Sequence, residues 1–248
     1  LVREAFRIAE EEKPGPVLLE LPEDIAEEAA EVVDLILPGE RHYAVAGKKV
    51  INAAADAIRG AKRPLVLIGA GANRKEARRA ISEFIGMIGL PFCNTQMGKG
   101  VVDESSSYFL GTAALSDKDY LHDYIKLADL IVNIGHDVVE KPPFFMEHGG
   151  AEVIHINYKS AQVDQVYFPQ IEVVGDIALT VDALADALGS RLDIDLEDFE
   201  KVRDNVKGKI FPLDEEPVFP MRPQNIVSAI RNLMGYHDII ALDNGVYK

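Results

Sequence analysis

A chain of 248 residues, 48% hydrophobic and 27% charged, has the composition of an ordinary globular protein, with room for one large domain or for one domain and parts of others. Its 41 acidic against 26 basic side chains leave a net charge of −15, a field that repels nucleic-acid backbones and anionic membranes. A single cysteine, Cys93, excludes an internal disulfide and a multi-cysteine metal site. No apolar run reaches membrane length and no charged-then-apolar leader opens the chain, so a cytoplasmic protein is expected.

At the start, Val2, Ala5, Phe6 and Ala9 follow the i, i+3, i+4, i+7 spacing of a core-facing helix, with no capping residue ahead of it. "KPGPVLLELP" then predicts a turn and a short apolar strand, Val17 to Leu19. One helix and one strand cannot bury both of their faces, so their partners are expected upstream of residue 1. Residues 25–49 are acidic or proline-bearing and read as a linker.

Residues 50–189 read as a self-sufficient domain. Helix "VINAAADAIRG" leads to strand "LVLI", helix "KEARRAISEFIGMIG" and strand "LPFCNT", where Cys93 fits as a small core residue. A long loop through Gly98, Gly100 and Gly111 is followed by helix "DYLHDYIKLA" and strand "DLIVNIG". Strands "EVIHIN" and "IEVVGD" and helix "IALTVDALADAL" complete the set, with Asp176 placed to cap the last helix. Val-, Ile- and Leu-rich strands alternating with amphipathic helices predict an α/β fold, a parallel sheet flanked by helices on both faces. Residues 190–222, with Pro212, Pro217 and Pro220, read as a second linker. Pro223 then opens a helix whose apolar face is Ile226, Val227, Ile230, Leu233 and Met234, and Ile239 to Leu242 predicts a strand. Both ends are therefore expected to be margins of neighbouring domains.

The stretch "RPLVLIGAGANRKEARRAISEF" carries the main functional question. A strand running into Gly69-x-Gly71 and a helix is half of the dinucleotide fingerprint G-x-G-x-x-G, but the third glycine position is Arg74. Two glycines allow close backbone approach to a phosphate at a helix N-terminus; they equally allow a tight turn with no ligand. The nucleophile elbow, the zinc helix and the phosphate-binding loop are all missing. His155, in an apolar strand, reads as a hydrogen-bonded core residue. "HDVVEK", from His136 to Lys141, lies at a strand's carboxyl end, where open α/β sheets take ligands, but it reads first as a solvated loop.

The order of several stretches resembles thiamine-diphosphate enzymes of the acetolactate synthase and pyruvate oxidase type. "GPVLLELPEDI" is similar to the close of their first, pyrimidine-binding domain, so that residues 1–24 would belong to it. "RPLVLIGAGANR", "LPFCNTQMGKGVVDESSSYFLG", "ADLIVNIGHDV", "AEVIHIN" and "VVGDIALTVDAL" resemble successive blocks of the Rossmann-like central domain. "IVSAIRNLMGYHDIIALDNGVYK" resembles the opening of the pyrophosphate-binding domain, at residues 223–248. The likeness is closest to acetolactate synthase large subunits.

The resemblance implies a carboligase that joins two pyruvates with loss of carbon dioxide, working as a homodimer or tetramer with thiamine diphosphate and Mg2+. A pyruvate oxidase, a 2-oxoacid decarboxylase or a non-catalytic nucleotide-binding or assembly module are the alternatives. The catalytic glutamate and the metal motif of such enzymes would lie outside this chain, which is expected to be inactive alone, so no catalytic and no metal residue is assigned. By the same carry-over, Gly245, Val246 and Tyr247 of "DNGVYK" would touch thiamine diphosphate, chiefly through backbone. A flavin-type site, if present, would use Gly69, Gly71, Thr95, Met97 and Gly98. The chain departs from flavin-binding synthases at "AALSDK", at "HDVVEK" and at Asn157 and Lys159, losing an arginine pair and two carboxylates. FAD is therefore expected to be absent and its site vestigial. Gly175-Asp176 with Asn205 imitates the metal motif, but Ile177 replaces its second glycine, and no magnesium site is expected there.

Overall fold

The computed structural model describes residues 1–31, 34, 36–37, 43–113, 121–137, 146–164, 167–210 and 219–241. The chain divides into two compact units, Leu1–Asp195 and Leu196–Lys248.

The first unit is built on β1 (Pro64–Ile68), β2 (Phe92–Asn94), β3 (Phe109–Thr112), β4 (Leu130–Ile134), β5 (Glu152–Asn157) and β6 (Ile171–Val174). Every neighbouring pair is parallel, in the order β3-β2-β1-β4-β5-β6. The chain enters at the centre, builds outward to β3, then returns to lay β4 on the other side of β1. That reversal is the Rossmann arrangement, and it puts the topological switch point between β1 and β4.

The helices of this unit are α1 (Val2–Glu10), α2 (Glu23–Ala26), α3 (Lys48–Gly60), α4 (Lys75–Ile88), α5 (Leu121–Leu127) and α6 (Ile177–Leu188). Helix α4 forms because Ala77, Ala80, Ile81, Phe84, Ile85 and Ile88 recur on one side, and all six are buried. It stops at Gly89, whose φ of 81° allows its N–H to return to the Ile85 carbonyl. Helix α6 starts as expected, with the Asp176 carboxylate accepting from the Leu179 N–H at 2.9 Å. Helices α3, α4 and α6 pack together over Val66, Ile68, Val132, Ile134, Ile154 and Ile156. Leu65, Leu67, Ile131 and Val153 alternate to the opposite face and are buried as well. The return from β3 to β4 runs opposite in direction to β1–α4–β2, so a right-handed crossover places α5, with buried Tyr124 and Ile125, on that second face.

Three differences from the sequence reading stand out. Strand β3 lies within the stretch read as a long loop. Val17–Leu19 pairs with no strand, and neither does 239–241 (Leu242 lies outside the described residues). An apolar run becomes a strand only where a neighbour supplies its ladder hydrogen bonds, and among the described residues neither run has one. In α1 the spacing produces an apolar stripe, yet Val2 and Phe6 are exposed and only Ala5 is buried.

The second unit holds α7 (Glu197–Ile210) and α8 (Pro223–Leu233). Helix α7 falls inside the stretch read as a linker and carries Glu197, Asp198 and Glu200 in its first turn, where the helix dipole favours negative charge. Helix α8 begins at Pro223 and buries none of its residues. Among the described residues no helix is long and apolar enough to cross a membrane.

Candidate functional site

The carboxyl ends of the six strands form one edge, and the expected glycine turn sits on it at the switch point. Strand β1 ends at Ile68, a short 3₁₀ turn spans Ala70–Ala72, and α4 begins at Lys75. The Gly69 N–H donates to the Ile134 carbonyl and the Gly71 N–H to the Gly135 carbonyl, both at 2.8 Å. The turn is thus stitched to the end of β4. A Cβ on Gly71 would stand 3.0 Å from Gly135 Cα, and one on Gly135, where φ is +74°, would stand 2.3 Å from the Ala72 nitrogen. These glycines let two backbones touch each other. Their N–H groups are donated to backbone carbonyls of the protein itself.

Thr95 and Gly98 lie on the same edge. The Thr95 N–H donates to the Ile68 carbonyl at 2.9 Å, and the Gly98 N–H reaches both the Thr95 carbonyl and Oγ1 at 3.1 Å. A Cβ on Gly98 would come within 2.2 Å of the Ile68 oxygen, so this glycine too serves close backbone packing. Met97 is exposed beside them, its carbonyl accepting from Asn73 Nδ2 at 3.4 Å. Gly69, Gly71, Thr95, Met97 and Gly98 are therefore brought together, but around contacts internal to the protein. Asn157 spends its side chain locally as well, donating to the His136 carbonyl at 2.7 Å and accepting from the Tyr158 N–H at 2.8 Å.

Charge enters this edge from a segment that the sequence reading did not connect to it. Arg74 Nε and Nη2 lie 3.3 and 3.4 Å from the two Glu12 carboxylate oxygens. Lys13 pairs with Asp137, which follows β4. Tyr158, following β5, has its phenol pushed up chiefly by burial and then by the nearby carboxylates of Glu12 and Asp176.

Beneath the edge, on the second face of the sheet, is a buried polar cluster. Asn133 on β4 stands beside His155 on β5 in register, and Tyr167 reaches over both. His155 Nε2 is 2.9 Å from the Lys159 carbonyl, which only accepts, so Nε2 carries the proton. Nδ1 then accepts from the Tyr167 hydroxyl at 2.7 Å, and that hydroxyl oxygen accepts from Asn133 Nδ2 at 3.2 Å. His155 is thus the hydrogen-bonded core residue that its apolar strand suggested, and Cys93 is a buried core residue. His136 stacks on Tyr167 with ring centroids 4.3 Å apart. Burial, followed by the proximity of His155, pushes His136 down to about 4, against the opposing pull of Asp137 and Asp164. Burial also lowers His155 and raises Tyr167. The only sequence signal for this cluster was a histidine and an asparagine inside apolar strands.

Gly245, Val246 and Tyr247 lie outside the described residues, as do positions 138–141 of "HDVVEK". Asp176 uses its carboxylate as a helix cap. Among the described residues no group of three or more His, Cys, Asp or Glu side chains is arranged to hold a metal ion.

The sheet coincides with a family match. Residues 51–184, just over half of the chain, match the family described as thiamine pyrophosphate enzyme, central domain. The catabolic acetolactate synthase of Raoultella terrigena is 30% identical, across 100% of this chain and 45% of its own length. An acetolactate synthase large subunit of Porphyra purpurea is 30% identical, over 76% of this chain and 33% of its own length. The acetolactate synthase of Bacillus subtilis is 28% identical, over 98% of this chain and 44% of its own length. The chain therefore spans less than half the length of these relatives. With its six-stranded parallel sheet and its family match, the chain belongs to the thiamine pyrophosphate enzymes, as their central domain, and is similar to acetolactate synthases.

Proposed function

We propose that the chain is part of an acetolactate synthase that converts two pyruvates to 2-acetolactate and carbon dioxide. The single observation that supports this most is the similarity to acetolactate synthases running along essentially the whole chain, beyond the central-domain match. On this reading residues 1–24 close the pyrimidine-binding domain and residues 50–189 form the central domain. Residues 223–248 open the pyrophosphate-binding domain, with linkers at 25–49 and 190–222. Thiamine diphosphate would supply the nucleophilic carbon that carries one pyruvate, after decarboxylation, to the 2-oxo carbon of the other, and Mg2+ would hold its diphosphate outside this chain. Gly245, Val246 and Tyr247 would meet the cofactor through backbone.

The contribution of the central domain is mechanical: a stiff, doubly covered sheet that fixes its neighbours relative to each other. The donated N–H groups of Gly69 and Gly71 support a flavin-free central domain. The intact enzyme would work in the cytoplasm as a homodimer or tetramer. The test is an assay with thiamine diphosphate, Mg2+ and pyruvate. The full-length gene product should form 2-acetolactate and the 248-residue chain should form none. Turnover by the chain alone, or acetaldehyde or acetyl phosphate as the main product of the full-length protein, would overturn the assignment.

A further inference from the structure

We infer that Glu12 and Lys13 form a charged strap that closes the carboxyl edge of the sheet at its switch point, making that edge a seat for the chain's own preceding segment in place of a nucleotide. Two consecutive residues of opposite sign reach the ends of two adjacent strands. Glu12 pairs with Arg74 beyond β1, and Lys13 pairs with Asp137 beyond β4. Each is matched to its partner's charge, so the strap fits in one direction only. Arg74 stands where the third fingerprint glycine would be, and its guanidinium, the cation a phosphate would use, is held by a carboxylate from the same chain.

The pairs differ from surface decoration. The side chains of Asp137 and Glu12 are 15% and 22% exposed, whereas both partners of the helix-surface pair Arg79–Glu83 are at least 50% exposed. A partly enclosed charge left without its partner is costly, which gives the strap a direction of preference that a solvated pair lacks. Below the strap, the glycine N–H groups are committed to β4, and Glu12 also lies close enough to Tyr158 to raise its phenol. A diphosphate entering this edge would have to displace Glu12 from Arg74 and would find no free glycine donors. Strap and nucleotide are mutually exclusive occupants. This inference rests on the geometry around Arg74 and Asp137 and does not depend on the carboligase reading.

The strap is tested by hydrogen exchange on the full 248-residue chain, read at Gly15, whose N–H donates to the Ala9 carbonyl just beyond the strap. Arg74→Glu should speed exchange there by roughly tenfold, and the swap Glu12→Arg with Arg74→Glu should restore at least half of the protection. Lys13→Glu, at a largely exposed side chain that cannot disturb the core, should loosen the same amide. A swap no better than Arg74→Glu alone would overturn the strap. The same measurement in excess FAD or ADP should show no retained nucleotide and unchanged protection. Retained nucleotide with Gly15 still protected would also overturn the strap. Retained nucleotide with Gly15 deprotected would uphold mutual exclusion while removing the flavin-free reading.

Discussion

Tyr167 shows how much one side chain can organise. Its hydroxyl is the partner of both His155 Nδ1 and Asn133 Nδ2, two groups almost without solvent access. Tyr167→Phe removes one oxygen and takes a partner from two buried atoms, so it should cost about 2 kcal/mol in urea unfolding, more than an average hydrogen bond is worth. A 15N spectrum should show His155 as the Nε2–H tautomer, and the variant should keep it, because the Lys159 carbonyl still requires that proton. His136, on the other side of the same ring, sets an acid limit. Its folded form takes a proton near pH 4 and its unfolded form near 6.5, so the unfolded chain holds more protons between those values. Stability is therefore complete above that window and falls as pH drops through it, by on the order of 2 kcal/mol for a shift of this size between about pH 7 and 5. His155 shifts in the same direction and adds to the loss. Urea midpoints across this range should follow the slope, and His136→Phe, which keeps the stacking, should flatten it.

Elements obey local chemistry until two backbones meet. Helix α4 ends at Gly89 and helix α6 begins at Asp176 because the capping residues lie within one turn of those boundaries. Glycines separate the local from the tertiary. Gly86 is an exposed position inside α4, with nothing within 4 Å of the place a methyl group would take, so Gly86→Ala should raise stability by about 0.5–1 kcal/mol. Gly98 faces the Ile68 carbonyl at 2.2 Å from its Cβ position, and Gly98→Ala must move backbone at the end of β1. It should cost about 3 kcal/mol or prevent folding, with thermal melts of the two variants shifting in opposite directions. The sequence places Gly86 in a helix and Gly98 in a loop, but the space around each is set by residues remote along the chain. Strand β3 has a weak sequence signal because it is a four-residue edge strand interrupted by Gly111, whose pairing to β2 shifts register after Phe92.

At the scale of the molecule, the first unit covers both faces of its sheet, yet carries uncovered apolar side chains elsewhere. Val2, Phe6, Leu18 and Leu21 are all exposed, around α1 and the unpaired run after it. Apolar surface of this kind drives association in water. The isolated chain should self-associate as its concentration rises through the micromolar range in sedimentation velocity. Phe6→Glu with Leu18→Glu should shift it toward monomer without changing the thermal midpoint, since neither side chain contributes to the core.

The order and kind of the main elements, the two-sided cover of the sheet and the resemblance to one enzyme family were all legible in the residues alone. All three are written in short-range periodicity, caps and the succession of blocks. The use of the glycine turn stayed open at that level, because it depends on partners remote along the chain: Gly69 and Gly71 bond to residues 134 and 135, and Arg74 to Glu12. It took the folded arrangement to commit those donors and that guanidinium to partners within the protein. A backbone N–H has the same sequence signature whether it faces a phosphate or a carbonyl, and packing alone chooses which.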